Sequence, residues 1–402
     1  MESVAWICEL KNTQSAVFFL AALLYFLRWS ANRGGSSATA GGKGQYALAL
    51  GFALAAVLSK PSTVMLPVAL VLGWWWQHRR FPWREAGWLV PFVGLSGLVA
   101  GWTIWEQKFH SGAIGPEWSQ TWAERCIIAG KAVWFYLGKL AWPFELTFIY
   151  PRWSPDATSP LSYVPGVLAV TGLAWLWWRR DRWPAGFVAA FFFVGLLFPV
   201  LGFFSVYFFR YSFVGDHFQY LASMAPLALV GAGLAGLASL RLRMAIGGSL
   251  VAGLAVLTVV QCGEYLNREA LWRATVARNP QATMAWVHLG DVLAQSNRKA
   301  EAMECFRRAL ALNPKHPEAH NHVAVEYLLQ GKTAEGIAAL ERAIESRPKF
   351  PVARTNLGVT LMKQGRAKEA LPHFESAVES WPASPEASAP RSSRCFTRCF
   401  TS

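Results

Sequence analysis

The chain has 402 residues, of which 53% are hydrophobic and 14% aromatic, and its formal net charge is +14. So many long apolar runs exclude an ordinary soluble protein of this size. The positive charge does not indicate binding to nucleic acid, because many basic residues stand in short clusters between apolar segments. Short basic loops beside apolar helices are typical of the cytoplasmic side of a membrane.

The character of the sequence changes along the chain. Residues 1–262 are apolar with sparse charge, residues 263–383 are polar and regularly patterned, and residues 384–402 are rich in Ser and Pro. We therefore predict an all-α protein, with a multi-spanning transmembrane helical bundle, an α-solenoid and a tail that is disordered or frame-shifted. The six cysteines lack metal-ligand spacing, so neither a metal nor a cofactor is expected.

Eight apolar segments of the first part are candidates for membrane crossing, since a helix needs about 20 apolar residues to span a bilayer. Eight crossings keep the four basic clusters on the cytoplasmic side. The segments lie near 13–29, 46–58, 63–76, 87–105, 161–178, 184–204, 218–238 and 244–261. The clusters are Arg28, Arg33, Lys43; Arg79, Arg80, Arg84; Arg179, Arg180, Arg182; Arg241, Arg243.

Segment 118–142 either crosses the membrane or lies at its surface. A crossing would put the basic stretch 177–183 outside, whereas an interfacial or re-entrant helix keeps all basic clusters on one side. We therefore favour an interfacial helix. The membrane part then begins and ends on the non-cytoplasmic face, where residues 106–160 and 205–217 also lie.

The second part repeats with a period of 34 residues, which is typical of the tetratricopeptide repeat. Small residues let two helices approach closely, and a proline ends the second helix of each pair. We predict three repeats, preceded by an amphipathic helix at 263–278 that caps the array. The first repeat carries Trp286, Leu289, Gly290, Leu293, Ala302, Phe306, Ala309 and Pro314.

His288, His322 and Asn356 occupy the same position in the first helix of each predicted repeat. Stacked repeats would align them along the inner surface of the solenoid, where hydrogen-bonding groups suit an extended peptide backbone. We predict that they bind an acceptor polypeptide. A solvated polar row without a partner is the alternative.

The stretch "RYSFVGDHFQY" (210–220) sets ionisable residues between two apolar segments. The eight-span topology places it at the outer mouth of the bundle, where a charge stays out of the hydrocarbon. No phosphate-binding glycine loop, nucleophile elbow or zinc-binding HExxH motif occurs in the sequence. Lys60, Arg210 and Asp216 remain as candidates, because a lipid-linked phosphate needs cations and sugar transfer needs a carboxylate.

Four stretches, followed by the repeats, resemble the transmembrane-and-tetratricopeptide-repeat proteins, which are protein O-mannosyltransferase-like members of the C-type glycosyltransferases. The resemblance covers residues 1–383 and implies an active site on the outer face, a sugar donor on a polyprenyl phosphate and a hydroxyl acceptor, such as a protein Ser or Thr. The stretches are "ESVAWICELKNTQSAVFFLAALLYFLRW" (2–29), "LSKPSTVMLPVALVLGWWW" (58–76), "AERCIIAGKAVWFYLGKLAWPFELTFIYPRW" (123–153) and "RYSFVGDHFQYLAS" (210–223).

The resemblance also implies roles for single residues. The family's catalytic acidic residue lies in an outer loop before the matched stretches, so we expect the base to be missing from this chain. Where the family often has Glu-Arg-Lys-Asp, residues 9–12 of this chain are Glu-Leu-Lys-Asn. His217 occupies a position where the family often has arginine. An uncharged histidine binds phosphate weakly. The expected phosphate ligands are Lys60, Arg210, His217 and Lys11, with Asp216 and Glu9 in support.

Three functions follow from these observations. The leading interpretation is a fragment of a membrane glycosyltransferase whose repeats bind the acceptor protein. A non-catalytic, membrane-anchored scaffold that binds proteins through its repeats is the main alternative, and a polysaccharide ligase or polymerase is the third. The expected location is the bacterial inner membrane with periplasmic repeats, or the endoplasmic-reticulum membrane with lumenal repeats.

Overall fold

The computed structural model describes residues 10–32, 41–81, 83–110, 113 and 115–380, and within these ranges it is all-α, with sixteen α-helices and no β-strand. The chain divides into two compact units, Met1–Ala282 and Thr283–Ser402. Glu9 and the predicted tail 384–402 lie outside the described residues.

The described residues of the first unit form ten α-helices, and short 3-10 helices lie in several of the described connections. They are α1 (Leu10–Asn32), α2 (Gly41–Ser59), α3 (Leu66–His78), α4 (Val90–Phe109), α5 (Trp122–Ala141), α6 (Val164–Trp178), α7 (Pro184–Leu197), α8 (Met224–Ala235), α9 (Leu240–Glu264) and α10 (Arg268–Arg278).

Helices α1 and α2 share one hydrophobic core in which large and small residues alternate. Ala49, Ala53 and Ala56 of α2 are buried at the i, i+4, i+7 spacing that lies along one helix face. Phe19 and Phe26 of α1 are fully buried in the same core. Small side chains on one helix thus leave room for the rings of its neighbours, which favours close packing.

Helix α5 is the predicted interfacial segment. Thr121 and Glu124 form a capping box at its start, which satisfies two backbone N–H groups that the helix leaves without a partner. Gly130 is buried where α5 meets α6, and a Cβ atom there would lie 2.4 Å from the backbone nitrogen of Gly166. The two helices therefore touch backbone to backbone at this point.

Within the part of the chain that the structure describes, three helices are long and apolar enough to cross a membrane, judged by length and composition alone: Lys11–Asn32, Pro160–Trp178 and Leu240–Glu264. Pro184–Val200 and Met224–Ala235 are shorter apolar helices. The predicted total of eight crossings and the surface location of α5 stay predictions.

Helix α10 belongs to the first unit, although the sequence predicts a boundary at residue 262. Trp272 packs edge-on against Phe148, with 5.5 Å between ring centroids. Arg278 forms an ion pair with Glu264 and donates a hydrogen bond to the carbonyl oxygen of Leu146 at 2.7 Å. These contacts hold α10 to the loop that follows α5.

The second unit consists of three helix pairs with the predicted 34-residue period, so the predicted repeats are confirmed. A Cβ atom on Gly290 would lie 2.5 Å from the ring of Phe306, and one on Gly358 would lie 2.8 Å from the ring of Phe374. Close pairing in the first and third pairs thus needs glycine. The helices are α11 (Thr283–Gln295), α12 (Lys299–Leu312), α13 (Pro317–Leu329), α14 (Thr333–Ser346), α15 (Pro351–Lys363) and α16 (Ala367–Ser380).

We predict that Gly130→Ala lowers the thermal stability of the first unit, because the added methyl group meets the backbone of Gly166, which cannot move aside as a side chain can. Overpacking of this kind costs about 1–3 kcal/mol. Thermal unfolding of the purified chain in detergent is the measurement. Gly138→Ala in the same helix is the matched control, because nothing lies within 4 Å of its new Cβ atom. Equal melting temperatures for the two variants would contradict the close contact.

Candidate functional site

A small polar cleft lies among the start of α1, the turn after α2 and the segment 217–221. The ammonium group of Lys60 donates a hydrogen bond to the side-chain oxygen of Asn12. The cleft has a volume of ≈ 20 Å³, which is room for about one water molecule. Its lining residues are Asn12, Ser15, Lys60, Ser62, Leu196, His217, Phe218, Tyr220 and Leu221.

The turn that presents Lys60 follows directly from the local sequence. Helix α2 ends at Ser59, and Lys60 has an extended backbone (φ −154°, ψ 119°) in front of Pro61. A residue before proline is disfavoured in the helical region, so Lys60 marks the break. The hydroxyl group of Thr63 donates to the carbonyl oxygen of Lys60 at 2.8 Å, which fixes the turn.

Two buried tyrosines hold the segment that carries His217. The Tyr150 hydroxyl group donates to the two carboxylate oxygens of Asp216 at 3.0 and 3.1 Å. The backbone N–H of Gly215 donates to the hydroxyl oxygen of Tyr136 at 3.2 Å. These contacts place the His217 ring against Phe218, with 4.2 Å between centroids, at the edge of the polar cleft. Asp216 therefore positions the segment.

Arg210 does not line the polar cleft with Lys60 and His217. Its guanidinium group lies 3.4 Å from the carboxylate of Glu117. Burial alone would lower the pKa of Arg210, but the negative charge of Glu117 and a hydrogen bond to Tyr207 outweigh burial and raise it above its ordinary value. Arg210 is thus a charged residue paired with Glu117, which lies between α4 and α5.

The remaining predicted phosphate ligand, Lys11, is exposed on the first turn of α1, one residue before Asn12. Glu9 lies outside the described residues. The structure therefore brings Lys60 and His217 together in the lining of the polar cleft. Asp216 is not among the lining residues and accepts a hydrogen bond from Tyr150. Asn12, Ser15 and Ser62 also line the cleft, and the sequence gives no local signal for Ser15 or Ser62, because their proximity arises from the packing of α1 against the turn.

Arg125, in the first turn of α5, has a structural role. Its guanidinium group donates to the carbonyl oxygens of Gly202 at 2.8 Å, Phe203 at 3.1 Å and Trp118 at 3.1 Å. It also donates to the carbonyl oxygen of Gln120 at 3.1 Å. A planar group with five donors suits this task, since it links two backbone segments at once.

In the second unit, the first helix of each pair lies beside the first helix of the following pair. These three helices, α11, α13 and α15, form a surface that we term the first-helix face. His288 is half-buried on α11. The ring of His322 stacks on Phe306, with 4.9 Å between centroids and 5° between planes. Asn356 donates to the side-chain oxygen of Asn321 at 2.9 Å.

His288, His322 and Asn356 therefore do not form a uniform row of solvated polar side chains. His322 packs as an aromatic ring, and burial lowers the pKa of its imidazole below the ordinary value. Asn356 links α15 to α13 through Asn321, which is itself buried. After donating one hydrogen bond, the Asn356 amide retains a second N–H donor and its carbonyl acceptor. The role of the three residues in peptide binding stays a prediction.

A charged group stands at the start of α13. The carboxylate of Glu318 lies 2.6 Å from Arg347 and 3.3 Å from the ring of His316. Burial would raise the pKa of Glu318, but the charge of Arg347 outweighs it and holds the pKa below its usual range. The pair therefore links the start of α13 to the residue that follows α14, within the second repeat.

One family model and several solved structures match parts of the chain. A family model described as tetratricopeptide repeat matches residues 268–317 and 324–385. Crystal structures of MamA match at 25% identity with TM-scores of 0.26 and 0.25, covering 28% of this chain and 66% and 61% of theirs, slightly under two thirds of their length. A MamA fragment from Desulfovibrio magneticus RS-1 matches at 20% identity with a TM-score of 0.26, covering 31% of this chain and 70% of its own.

No curated protein matches the chain. The matched family residues are confined to the repeats and the helix before them. The family model thus supports a protein that contains tetratricopeptide repeats, and no comparison supports the glycosyltransferase resemblance.

We predict that acidification destabilises the second unit. A buried histidine with a lowered pKa is neutral in the folded state, while the unfolded chain binds a proton near its ordinary pKa of about 6.5. Stability is therefore fully present above that pH and falls as the pH drops below it. The measurement is the unfolding midpoint in denaturant between about pH 7.5 and 5.

His322→Asn should reduce this pH dependence, since Asn356 occupies the same position in the next repeat. His373 contributes in the same direction, because burial and the charge of Arg354 lower its pKa. His373→Gln is therefore a second variant, and the two effects should add. An unchanged pH profile in His322→Asn would rule out a neutral, buried imidazole at this position.

Proposed function

We propose that this chain is a membrane-anchored scaffold that binds a polypeptide partner through its tetratricopeptide repeats. The observation that carries this proposal is the set of three helix pairs with the 34-residue period, which the family model also matches. Stacked repeats create an extended surface, and such surfaces commonly bind peptides. A scaffold needs no catalytic residues.

The first-helix face has the chemistry that an extended peptide requires. Leu329, Val359 and Met362 are exposed on α13 and α15, with 63%, 37% and 51% of their surface accessible. Asn356 lies on the same face and can bond a peptide backbone, since its amide has both donors and an acceptor. We infer that the partner segment is extended and carries apolar side chains that cover these three residues.

Attachment to a membrane is supported by the first unit. Helix α9 is exposed along almost its whole length, including Val251, Val256 and Val259. Exposed apolar surface on this scale is unfavourable in water, which makes a hydrocarbon environment the better solvent. In α1, Asn12 near the start accepts from Lys60 and Ser30 near the end donates to Gln77, and the two positions are about 27 Å apart along a helix. This length is close to the hydrocarbon thickness of a bilayer, about 30 Å.

We predict that Val359→Glu combined with Met362→Glu abolishes peptide binding, because two carboxylates would have to be buried beneath apolar side chains. Peptides are first selected from a displayed random library with the full chain in detergent. Fluorescence polarisation then measures their Kd, and we expect a loss of at least about tenfold, equal to about 1.4 kcal/mol.

The matched control is Leu371→Glu with Val378→Glu, which adds the same charge to exposed positions of α16. Peptide affinity should survive in this control. Selected peptides without apolar residues, or equal losses in both double variants, would contradict binding at the first-helix face.

A second candidate function rests on the polar cleft. Lys60 and His217 line it together, although 157 positions separate them in the sequence, and such a pair suits the phosphate of a lipid-linked sugar when the histidine is protonated. A separate apolar cavity of ≈ 470 Å³ lies between α5, α6 and the end of α7, with room for a hydrocarbon chain. We therefore keep transfer of a sugar from a polyprenyl phosphate as the alternative.

We predict for this alternative that Lys60→Gln weakens binding of a polyprenyl-phosphate sugar several-fold, because one charge-assisted hydrogen bond is lost. Titration of the radiolabelled lipid into the full chain in detergent measures the affinity. Lys108→Gln, an exposed site at the end of α4, is the control and should bind as the original chain does. Equal binding by both variants would remove Lys60 from any phosphate site.

A further inference from the structure

The ends of α3 and α6 meet at one end of the first unit. The ring of Phe81, just after α3, stacks on Trp177 near the end of α6, with 5.2 Å between centroids and 15° between planes. Trp177 also packs edge-on against Phe187 of α7 at 5.7 Å. The loops that follow α3 and α6 are therefore neighbours, although about 100 residues separate them.

These two loops concentrate positive charge. Glu85 forms an ion pair with Arg80 at 2.9 Å. Over residues 10–32, 41–81, 83–110, 113 and 115–380, no carboxylate pairs with the other arginines of these loops. Asp181 is the only further acidic residue on the two loops. The six arginines are Arg79, Arg80, Arg84, Arg179, Arg180 and Arg182.

Three of the guanidinium groups lie over indole rings. Arg179 stands 4.6 Å from the ring of Trp178, and Arg180 stands 5.2 Å from the ring of Trp177. Arg79 lies 5.0 Å from the ring of Trp76. A guanidinium group stacked on a ring keeps its N–H edge directed away from the ring, where it can bind a phosphate with two parallel hydrogen bonds.

Arg79 has a backbone conformation that indicates a specific role. Its φ of 55° is left-handed and ends α3, a position that glycine occupies at lower conformational cost. The arginine at this place sets its guanidinium group over the last tryptophans of α3. Glycine would end the helix as well but would supply no charge.

The same loops expose large indole side chains. Trp83 and Trp178 have 78% and 71% of their surface accessible, and Trp183 has 60%. Tryptophan is enriched where the hydrocarbon of a bilayer meets its headgroups, because its ring is apolar and its N–H is polar. We term the six arginines together with Trp76, Trp83, Trp178 and Trp183 the arginine–tryptophan surface.

We propose that the arginine–tryptophan surface binds the phosphate headgroups of anionic phospholipids. This inference rests on the proposed insertion of the first unit into a membrane. The surface lies at the end of α1 that carries Ser30, which donates to Gln77 at 2.9 Å, and the polar cleft lies at the other end. The arginines bind the phosphates while the exposed indoles enter the headgroup layer. Anionic lipids thereby hold this end of the first unit at the membrane surface.

Native mass spectrometry of the full chain in detergent tests the proposal, with equal amounts of phosphatidylglycerol and phosphatidylcholine. The original chain should retain the anionic lipid preferentially. Arg79→Gln, Arg179→Gln and Arg182→Gln in one chain should lower the ratio of anionic to zwitterionic lipid about tenfold or more, since each basic residue near the surface contributes measurably. Lysine at the same three positions should restore most of the preference, which also shows that the glutamine chain fails through charge and not through misfolding.

The matched control changes three exposed arginines of the second unit, Arg307, Arg308 and Arg342, to glutamine. It should keep the lipid preference. Equal retention of both lipids by the original chain, or an equal loss in the control, would overturn the inference. So would displacement of the anionic lipid by a single-stranded oligonucleotide, which would assign the surface to nucleic acid.

Alkaline carbonate treatment of membranes from expressing cells separates this inference from the proposed insertion. A chain that resists extraction but shows no lipid preference disproves only the headgroup site. A chain that carbonate releases disproves the insertion itself.

Discussion

Close approach of helices at positions without side-chain bulk is the constraint on which both units depend. In the first unit, Gly130 touches the backbone of Gly166, and buried alanines of α2 leave space for the rings of α1. In the second unit, Gly290 and Gly358 lie against phenylalanine rings. A methyl group added at one of these glycines would overlap a neighbouring atom, since protein interiors are packed as densely as organic crystals. Side chains distant in sequence come together only because these contacts fix the helices.

The first unit separates two kinds of polar surface along α1. At its start, Lys60 and Asn12 meet in a cleft with room for about one water. At its end, the loops after α3 and α6 carry arginines stacked on tryptophans. Aromatic and apolar residues fill the length between them. With the proposed insertion into a membrane, the two polar ends of the first unit would face water and the apolar surface between them would face hydrocarbon. Polar groups are costly to leave unpaired in an apolar medium.

The sequence predicts the second unit almost completely and the polar cleft only in part. A period of 34 residues fixes which positions are buried, so the repeats follow from local pattern alone. Ligand binding by His322 stays a prediction, and the structure adds that its ring stacks on Phe306 of the preceding helix, a contact that helical periodicity within one repeat does not encode. Arg210 was grouped with Lys60, yet it pairs with Glu117, 93 positions earlier. Pairings over such separations depend on how loops pack, which composition and spacing do not specify.

The division into units also separates the two candidate functions physically. Peptide binding would use exposed side chains of α13 and α15, which belong wholly to the second unit. A phosphate site would use Lys60 and His217, which belong wholly to the first. Since the two residue sets belong to different units, we expect their energetic effects to be independent. A scaffold that lost its chemistry could therefore retain its partner binding. Changes in the repeats should likewise leave the polar cleft intact, because its lining residues all belong to the first unit.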